Sequence, residues 1–244
     1  MSTPPTPSLR SAAILLAGGS GNRMRGAVAD KILACLAGKP VIAHSIAAFV
    51  ASGAVQRLVV VCRDHEQETL IKPLIPPTLS SSFTRGGAER KDSVWAGLQA
   101  CPPATEIVLI HDCARPCVTP QAIRVSIAAA AETGAACLAR PVTDTLKSVS
   151  SSSSSPSSQQ TAYQLATVDR SKLWAMETPQ TFRRALILEA YQRIVAENRP
   201  ITDDLSAIES LGQPVVFIDN QRPNPKLTTP ADLPYLEFLL SQSV

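Results

Sequence analysis

Aromatic residues are scarce: the 244-residue chain holds five Phe, three Tyr and two Trp. Trp95 and Trp174 stand apart, so the row of rings on which single-stranded nucleic acid stacks is missing. Excess charge is missing too. A net charge of +3, with no long basic cluster, argues against nucleic acid as a partner. No apolar run is long enough to span a membrane. The opening MSTPPTPSLR lacks the apolar core of a signal peptide, so residues 1–10 are expected to be a disordered leader and the protein cytoplasmic. Histidine occurs three times, and the six cysteines, at 35, 62, 101, 113, 117 and 137, form no CxxC pair. Cys113 and Cys117 alone are too few ligands for zinc, so the cysteines are expected to be reduced and mostly buried. Neither a Ser-His-Asp set nor an HExxH motif is present.

What the chain has is short runs of Val, Ile, Leu and Ala. AAILLA (12–17), RLVVVC (57–62), EIVLIHD (106–112), AACLARPV (135–142) and PVVFID (214–219) are apolar on consecutive residues. Such runs predict strands covered on both faces, as in a parallel sheet. Amphipathic segments alternate with them. Residues 40–52, 88–100, 119–134 and 181–198 predict helices, as does the closing TTPADLPYLEFLLSQ. Thr119-Pro120 supplies a cap and a first-turn proline, and Gly134 an end. The alternation predicts an α/β fold with a doubly wound, mostly parallel sheet, one domain over residues 11–244.

The stretch SVSSSSSSPSSQQTAYQ (148–164) breaks the pattern. Serine at this density cannot order itself by burial. Flanked by DTLKSV and AYQLATV, it predicts an extended β-arm around residues 140–178 with a mobile serine-rich tip, suited to contact with another subunit.

Five segments carry chemistry. The first is LLAGGSGNRM…DK, where a strand runs into Gly18, Gly19 and Gly21 and is followed by Arg23 and Lys31. Bare backbone lets amides form an anion nest, and two cations beyond it suit a triphosphate. Neither the Walker A spacing nor G-x-G-x-x-G is completed. In the second, RGGAERKDSV, Gly86 and Gly87 precede a helix, and Ser93 offers a hydroxyl. The third, LIHDCARP, puts Asp112 past a buried strand, at the sheet edge where α/β proteins bind ligands. A carboxylate there is a candidate Mg²⁺ ligand, with Arg115 nearby for an anion. The fourth joins PVTDTLK to VDRSKLWAMETPQTF, and the fifth joins ITDDLSAIESLG to NPKLTTPADL. Taken singly, the last two read as helix caps and solvated faces.

Taken in order, these segments resemble the 2-C-methyl-D-erythritol 4-phosphate cytidylyltransferase family of nucleotidyltransferases, from about Ala12 onward. The resemblance implies transfer of CMP from CTP to methylerythritol phosphate with release of pyrophosphate, in non-mevalonate isoprenoid synthesis. It implies Arg23, Lys31 and Lys226 as catalytic cations, Lys226 on the substrate phosphate. Ala17, Gly18, Gly19, Gly21, Gly87, Ala88 and Ser93 match the CTP-binding segments. Asp112 matches a residue near Mg²⁺ and substrate, and Arg115 and Thr145 match substrate contacts. Arg170 and Thr178 match residues that reach across from a partner, so a homodimer with shared sites is implied.

Three positions depart from the family pattern: Asp30 before Lys31 where proline is usual, Pro223 where an aspartate is frequent, and a longer serine arm. Asp219 is the nearest acid to replace the one absent at Pro223. The Asp30-Lys31 pair also fits molybdenum cofactor guanylyltransferase. Other sugar-phosphate nucleotidyltransferases, or a nucleotide-binding homologue without catalysis, are the remaining alternatives.

Overall fold

The structure, a computed structural model, describes residues 9–18, 30–151 and 163–242. Gly19, Gly21, Arg23, most of the leader and the serine tip therefore lie outside the described residues. The strands are β1 (Ser11–Leu16), β2 (Cys35–Leu36), β3 (Lys39–Pro40), β4 (Arg57–Cys62), β5 (Ser80–Arg85), β6 (Ile107–Asp112), β7 (Ala135–Pro141), β8 (Lys147–Ser151), β9 (Tyr163–Thr167), β10 (Trp174–Arg183) and β11 (Val216–Asp219). The helices are α1 (Val41–Ser52), α2 (His65–Ile71), α3 (Arg90–Ala100), α4 (Pro120–Thr133), α5 (Arg184–Ala196), α6 (Leu205–Glu209) and α7 (Leu233–Ser241).

Seven strands form one sheet in the order β11-β7-β10-β6-β1-β4-β5. All neighbours are parallel except β10, which runs antiparallel to both β6 and β7. The doubly wound, mostly parallel sheet expected from the apolar runs is thus present. Alternate residues of the central strands enter different cores. Leu15, Val60 and Leu109 meet α1 and α4 through Phe49 and Ile123. Ile14, Val59 and Ile110 meet α3 and α5 through Leu98 and Ile187. Burial on both faces is why these strands read as unbroken apolar runs. Among the described residues no helix is long and apolar enough to cross a membrane.

Gly97 on α3 is where helix and sheet come closest. A Cβ there would sit 2.5 Å from Ile14 Cγ2 and 3.1 Å from Val61 Cγ2. Alanine should gain about 1 kcal/mol of helix propensity. Overpacking costs about 1–3 kcal/mol, so Gly97→Ala is expected to lower the thermal midpoint. An unchanged or raised midpoint would show that the sheet gives way there.

Three elements differ from the sequence expectation. The helix expected from Thr181 starts later: residues 174–183 are strand β10, and α5 begins only at Arg184. Insertion of β10 between β6 and β7 overrides the helical periodicity, and its pairing with β7 shifts register between Met176 and Gln180. SSSFTR becomes edge strand β5, although it lacks the apolar run that marks the inner strands. The arm is also shorter than 140–178, because Pro141 and Trp174 still pair within the main sheet. Beyond them β8 and β9 form an antiparallel hairpin, with Val149 opposite Leu165, 56% and 64% exposed.

Candidate active site

The sheet order reverses at β1: its neighbour β4 leads to one edge and β6 to the other. Loops diverge there and leave a crevice at the strand ends. A cavity of about 500 Å³ occupies it. Ala17 and Gly18 follow β1, Arg63 follows β4, Asp112 ends β6, and Gly87, Ala88, Arg90 and Ser93 come from the approach to α3 and its first turns. Lys31 and Lys226 complete the wall. All the positions expected to bind CTP that lie within the described residues, with Lys31, Asp112 and Lys226, therefore line one cavity.

Of the three glycines expected to form an anion nest, Gly18 alone is among the described residues. Ala17 and Gly18 both donate to the Val61 carbonyl, at 3.0 and 2.9 Å. The Gly87 amide donates to Ser93 Oγ at 3.2 Å. These groups are spent holding loops together. Within the described residues, an anion would meet the cationic side chains that line the cavity instead. Gly87 is needed for close approach, since a Cβ would lie 2.3 Å from Asp92 Cβ. Asp92 in turn accepts the Glu89 amide at 2.9 Å and fixes the start of α3.

Asp112 is the electrostatic centre. Lys226 Nζ lies 2.5 Å from its Oδ2 and the Arg90 guanidinium 3.5 Å from its Oδ1. Burial alone would raise its pKa, but the charges of Arg90 and Lys226 outweigh this and hold the carboxyl well below the usual range. Its amide donates to Thr178 Oγ1 at 3.1 Å. Thr178 is 4% exposed, with its hydroxyl 3.0 Å from His111 Nδ1. Within its own chain the Thr178 side chain is thus enclosed behind Asp112. Thr145 and Arg170 lie outside the cavity, exposed near the base of the arm, where Arg170 bonds the Thr143 carbonyl.

Arg90, unmarked in the sequence analysis, is held from behind. Asp204 accepts both its terminal nitrogens, at 2.9 and 2.7 Å. The Asp204 side chain is fully buried, and Tyr191 donates to it at 2.5 Å. Gln180 accepts the Asp204 amide at 3.0 Å. The segment ITDD, read as a cap or solvated face, is therefore the rear support of the cavity. No signal near Arg90 announces this, because the two residues are 114 positions apart.

Arg115 lies in a neighbouring cavity of about 440 Å³, with Arg140, Glu177, Asn220, Asn224 and Lys226. It donates to the carbonyls of Asn224 at 2.7 Å and Met176 at 3.3 Å. Arg115 Nε and Asn224 Oδ1 are buried without a hydrogen-bond partner among the described residues. Pro223 lines this cavity, whereas Asp219 lines neither it nor the one at Asp112.

His111 lies wholly buried between Thr178 and Ser45, its Nε2 3.2 Å from Ser45 Oγ. Burial pushes its pKa down to about 4, partly offset by Asp112. The unfolded imidazole titrates near 6.5. Stability from this group is therefore full above pH 6.5 and lost as pH falls towards 4, by about 3 kcal/mol. Denaturant titrations without nucleotide or metal should show that loss in the parent and a shallower one in His111→Gln. Equal pH dependence in both would reject a neutral buried imidazole.

The sequence model of the family IspD, 2-C-methyl-D-erythritol 4-phosphate cytidylyltransferase, matches residues 11–242. A 2-C-methyl-D-erythritol 4-phosphate cytidylyltransferase from Symbiobacterium thermophilum is 37% identical, over 94% of this chain and 92% of its own. One from Syntrophotalea carbinolica is 39% identical, over 90% and 91%. The crystal structure of the enzyme of that name from Thermus thermophilus superposes with a TM-score of 0.75 at 27% identity, over 96% of this chain and all of the other. A cavity at the β1 crossover, lined by lysines, arginines and one strand-end aspartate, thus sits in a chain matched almost end to end by these proteins, and the chain belongs to the 2-C-methyl-D-erythritol 4-phosphate cytidylyltransferase family.

Proposed function

We propose that the 500 Å³ cavity holds CTP, that the 440 Å³ cavity holds methylerythritol phosphate, and that CMP passes between them beside Lys226. The observation that carries this division is that Lys226 lines both cavities while its ammonium bonds Asp112. A phosphate oxygen of the acceptor attacks the α-phosphorus of CTP, forming a new P–O bond. The bond from the α-phosphorus to the oxygen bridging to the β-phosphate breaks, and pyrophosphate leaves with that electron pair. The attacking phosphate is already ionised, so no general base is required. Ser93 Oγ accepts the Gly87 amide and donates to the Glu89 carbonyl, which leaves it a structural hydroxyl.

Catalysis is then positioning and charge stabilisation. Lys31 meets charge developing at the α-phosphorus, with Arg23 as its expected companion from the segment outside the described residues. Lys226 holds the acceptor phosphate. Arg115, with its spare Nε, and Asn224, with its spare Oδ1, offer a donor and an acceptor to a polyol.

Among the described residues no three potential ligands gather to cage a metal. Asp112 is nevertheless an ionised carboxylate in the triphosphate cavity, which fits Mg²⁺ bound by one carboxylate, substrate phosphates and water. When bound, the ion supplies charge neutralisation on the triphosphate. The protein is proposed to act in the cytoplasm as a homodimer through the β8–β9 arm. Exposed Val149 and Leu165 on the arm, and the placement of Thr145 and Arg170 outside their own cavity, support a second chain there.

The test is pyrophosphate release from paired substrates. It is expected only with CTP, methylerythritol phosphate and a divalent cation together. Release with GTP and molybdopterin instead would assign the chain to guanylyl transfer. CTP binding without turnover would make it a non-catalytic homologue.

A further inference from the structure

Gln67 on α2 is 1% exposed and lies outside the cavity lining, yet it joins three segments that build the cavity. Its Nε2 donates to the Ala17 carbonyl at 3.2 Å and to Asp30 Oδ2 at 2.6 Å. Its Oε1 accepts the Arg63 amide at 2.7 Å. These partners are the residue after β1, the residue before Lys31 and the residue after β4. Asp64 accepts the Gln67 amide at 2.7 Å, capping α2.

Asp30 passes the restraint to Lys31. Its Oδ1 accepts the Ile32 amide at 3.1 Å, and its carbonyl accepts the Leu33 amide at 3.1 Å. Lys31 is thus the middle of a turn closed by Asp30 through both side chain and main chain. The far side of the turn is tied where Ile42 donates to the Ile32 carbonyl at 2.9 Å. Arg63 reinforces the near side, with its guanidinium 3.2 Å from Asp30 Oδ2 and 2.7 Å from Asp64 Oδ2. A buried amide satisfied on all sides gives geometric definition, since any displacement leaves polar groups unpaired.

We infer that Gln67, acting through Asp30, is a positioning residue that sets the Lys31 turn against the end of β1. The distance it fixes is the one between the ammonium and the phosphate site. An error of about 1 Å in such a distance can cost on the order of 100-fold in rate. The inference rests on Lys31 as the cation of the transition state.

Gln67→Glu sets a second carboxylate against Asp30, where like charges repel. Asp30→Asn with Gln67→Glu restores an amide–carboxylate pair with the roles exchanged. Steady-state pyrophosphate release gives kcat and KM for both substrates, and thermal melts follow folding. Gln67→Glu is expected to lower kcat about tenfold or more while KM for methylerythritol phosphate stays within about twofold. The exchanged pair should return kcat to within about threefold of the parent. In a Lys31→Ala background Gln67→Glu should change kcat by less than about twofold, because the group it positions is gone. If Gln67→Glu does not fold, Asp30→Ala cuts the same tether from the other end. It should show the same loss, absent again in the Lys31→Ala background.

Parental kcat in the folded variants would overturn the inference. So would a loss that the exchanged pair does not recover, or one that persists undiminished without Lys31. A near-parental Lys31→Ala would instead overturn the reading of Lys31 itself.

Discussion

Lys31→Ala is expected to lower kcat for CMP transfer by about 10²- to 10³-fold, with a much smaller change in KM for CTP. The charge at stake develops as the α-phosphorus becomes five-coordinate. In the proposed arrangement Lys31 is not alone with the ground-state triphosphate, because Arg63 and Arg90 line the same cavity. Removing one therefore weakens CTP binding modestly. The transition state asks more of Lys31, because its turn is fixed beforehand by Asp30 and needs no reorganisation. Steady-state pyrophosphate release at saturating substrates measures the effect. A kcat within about threefold of the parent would reject the role.

The largest loss of stability is expected from Asp204→Ala. The pair Arg90–Asp204 spans 2.7 Å and the Asp204 side chain has no exposure. Burial lowers the pKa of Arg90, but Asp204 more than compensates, so the guanidinium stays charged. Removing the carboxylate strands that charge and leaves the Tyr191 hydroxyl without its acceptor. Breaking one side of a buried pair costs about 3–5 kcal/mol. For a chain of this length the thermal midpoint should fall by roughly 10 °C. Arg193 and Glu189 form a comparably short pair at 2.6 Å, but both are more than half exposed. Glu189→Ala should therefore cost less than about 1 kcal/mol. Similar losses from the two substitutions, measured by chemical denaturation, would mean that Arg90 finds another partner or water. Because Arg90 also faces Asp112, the surviving fold of Asp204→Ala should transfer CMP more slowly.

The sequence was legible where physics is local. Double-sided burial writes itself as runs such as RLVVVC, and β4 has the same bounds as that run. Thr119 caps α4 by accepting the Ala122 amide, and Gly134 ends it at φ 97°, as their residue types suggest. The motif residues Gly87, Ser93 and Asp112 come together at element ends on one side of the sheet, where the loops carrying Lys31 and Lys226 join them. What was not legible depends on distant neighbours. Nothing near Asp204 tells a solvated cap from the buried anchor of Arg90. The glycine segment could not reveal that its first amides turn inward to Val61. Residues 181–183 have a helical pattern, but their place between β6 and β7 makes them strand. Asp30 looked anomalous beside Lys31, and its use appears only when Gln67 and Arg63 arrive from β4 and α2.

The central claim is that two adjoining cavities, joined at Lys226, hold the two reactants for direct transfer, with no covalent intermediate. CTP carrying a single sulfur-substituted stereoisomer at the α-phosphorus tests this most directly. Incubated with methylerythritol phosphate and Mg²⁺, the protein should give the thio-substituted cytidine diphosphate ester with inverted configuration and one pyrophosphate per product. Retained configuration would require two successive displacements through a nucleotidylated side chain, and would contradict the account.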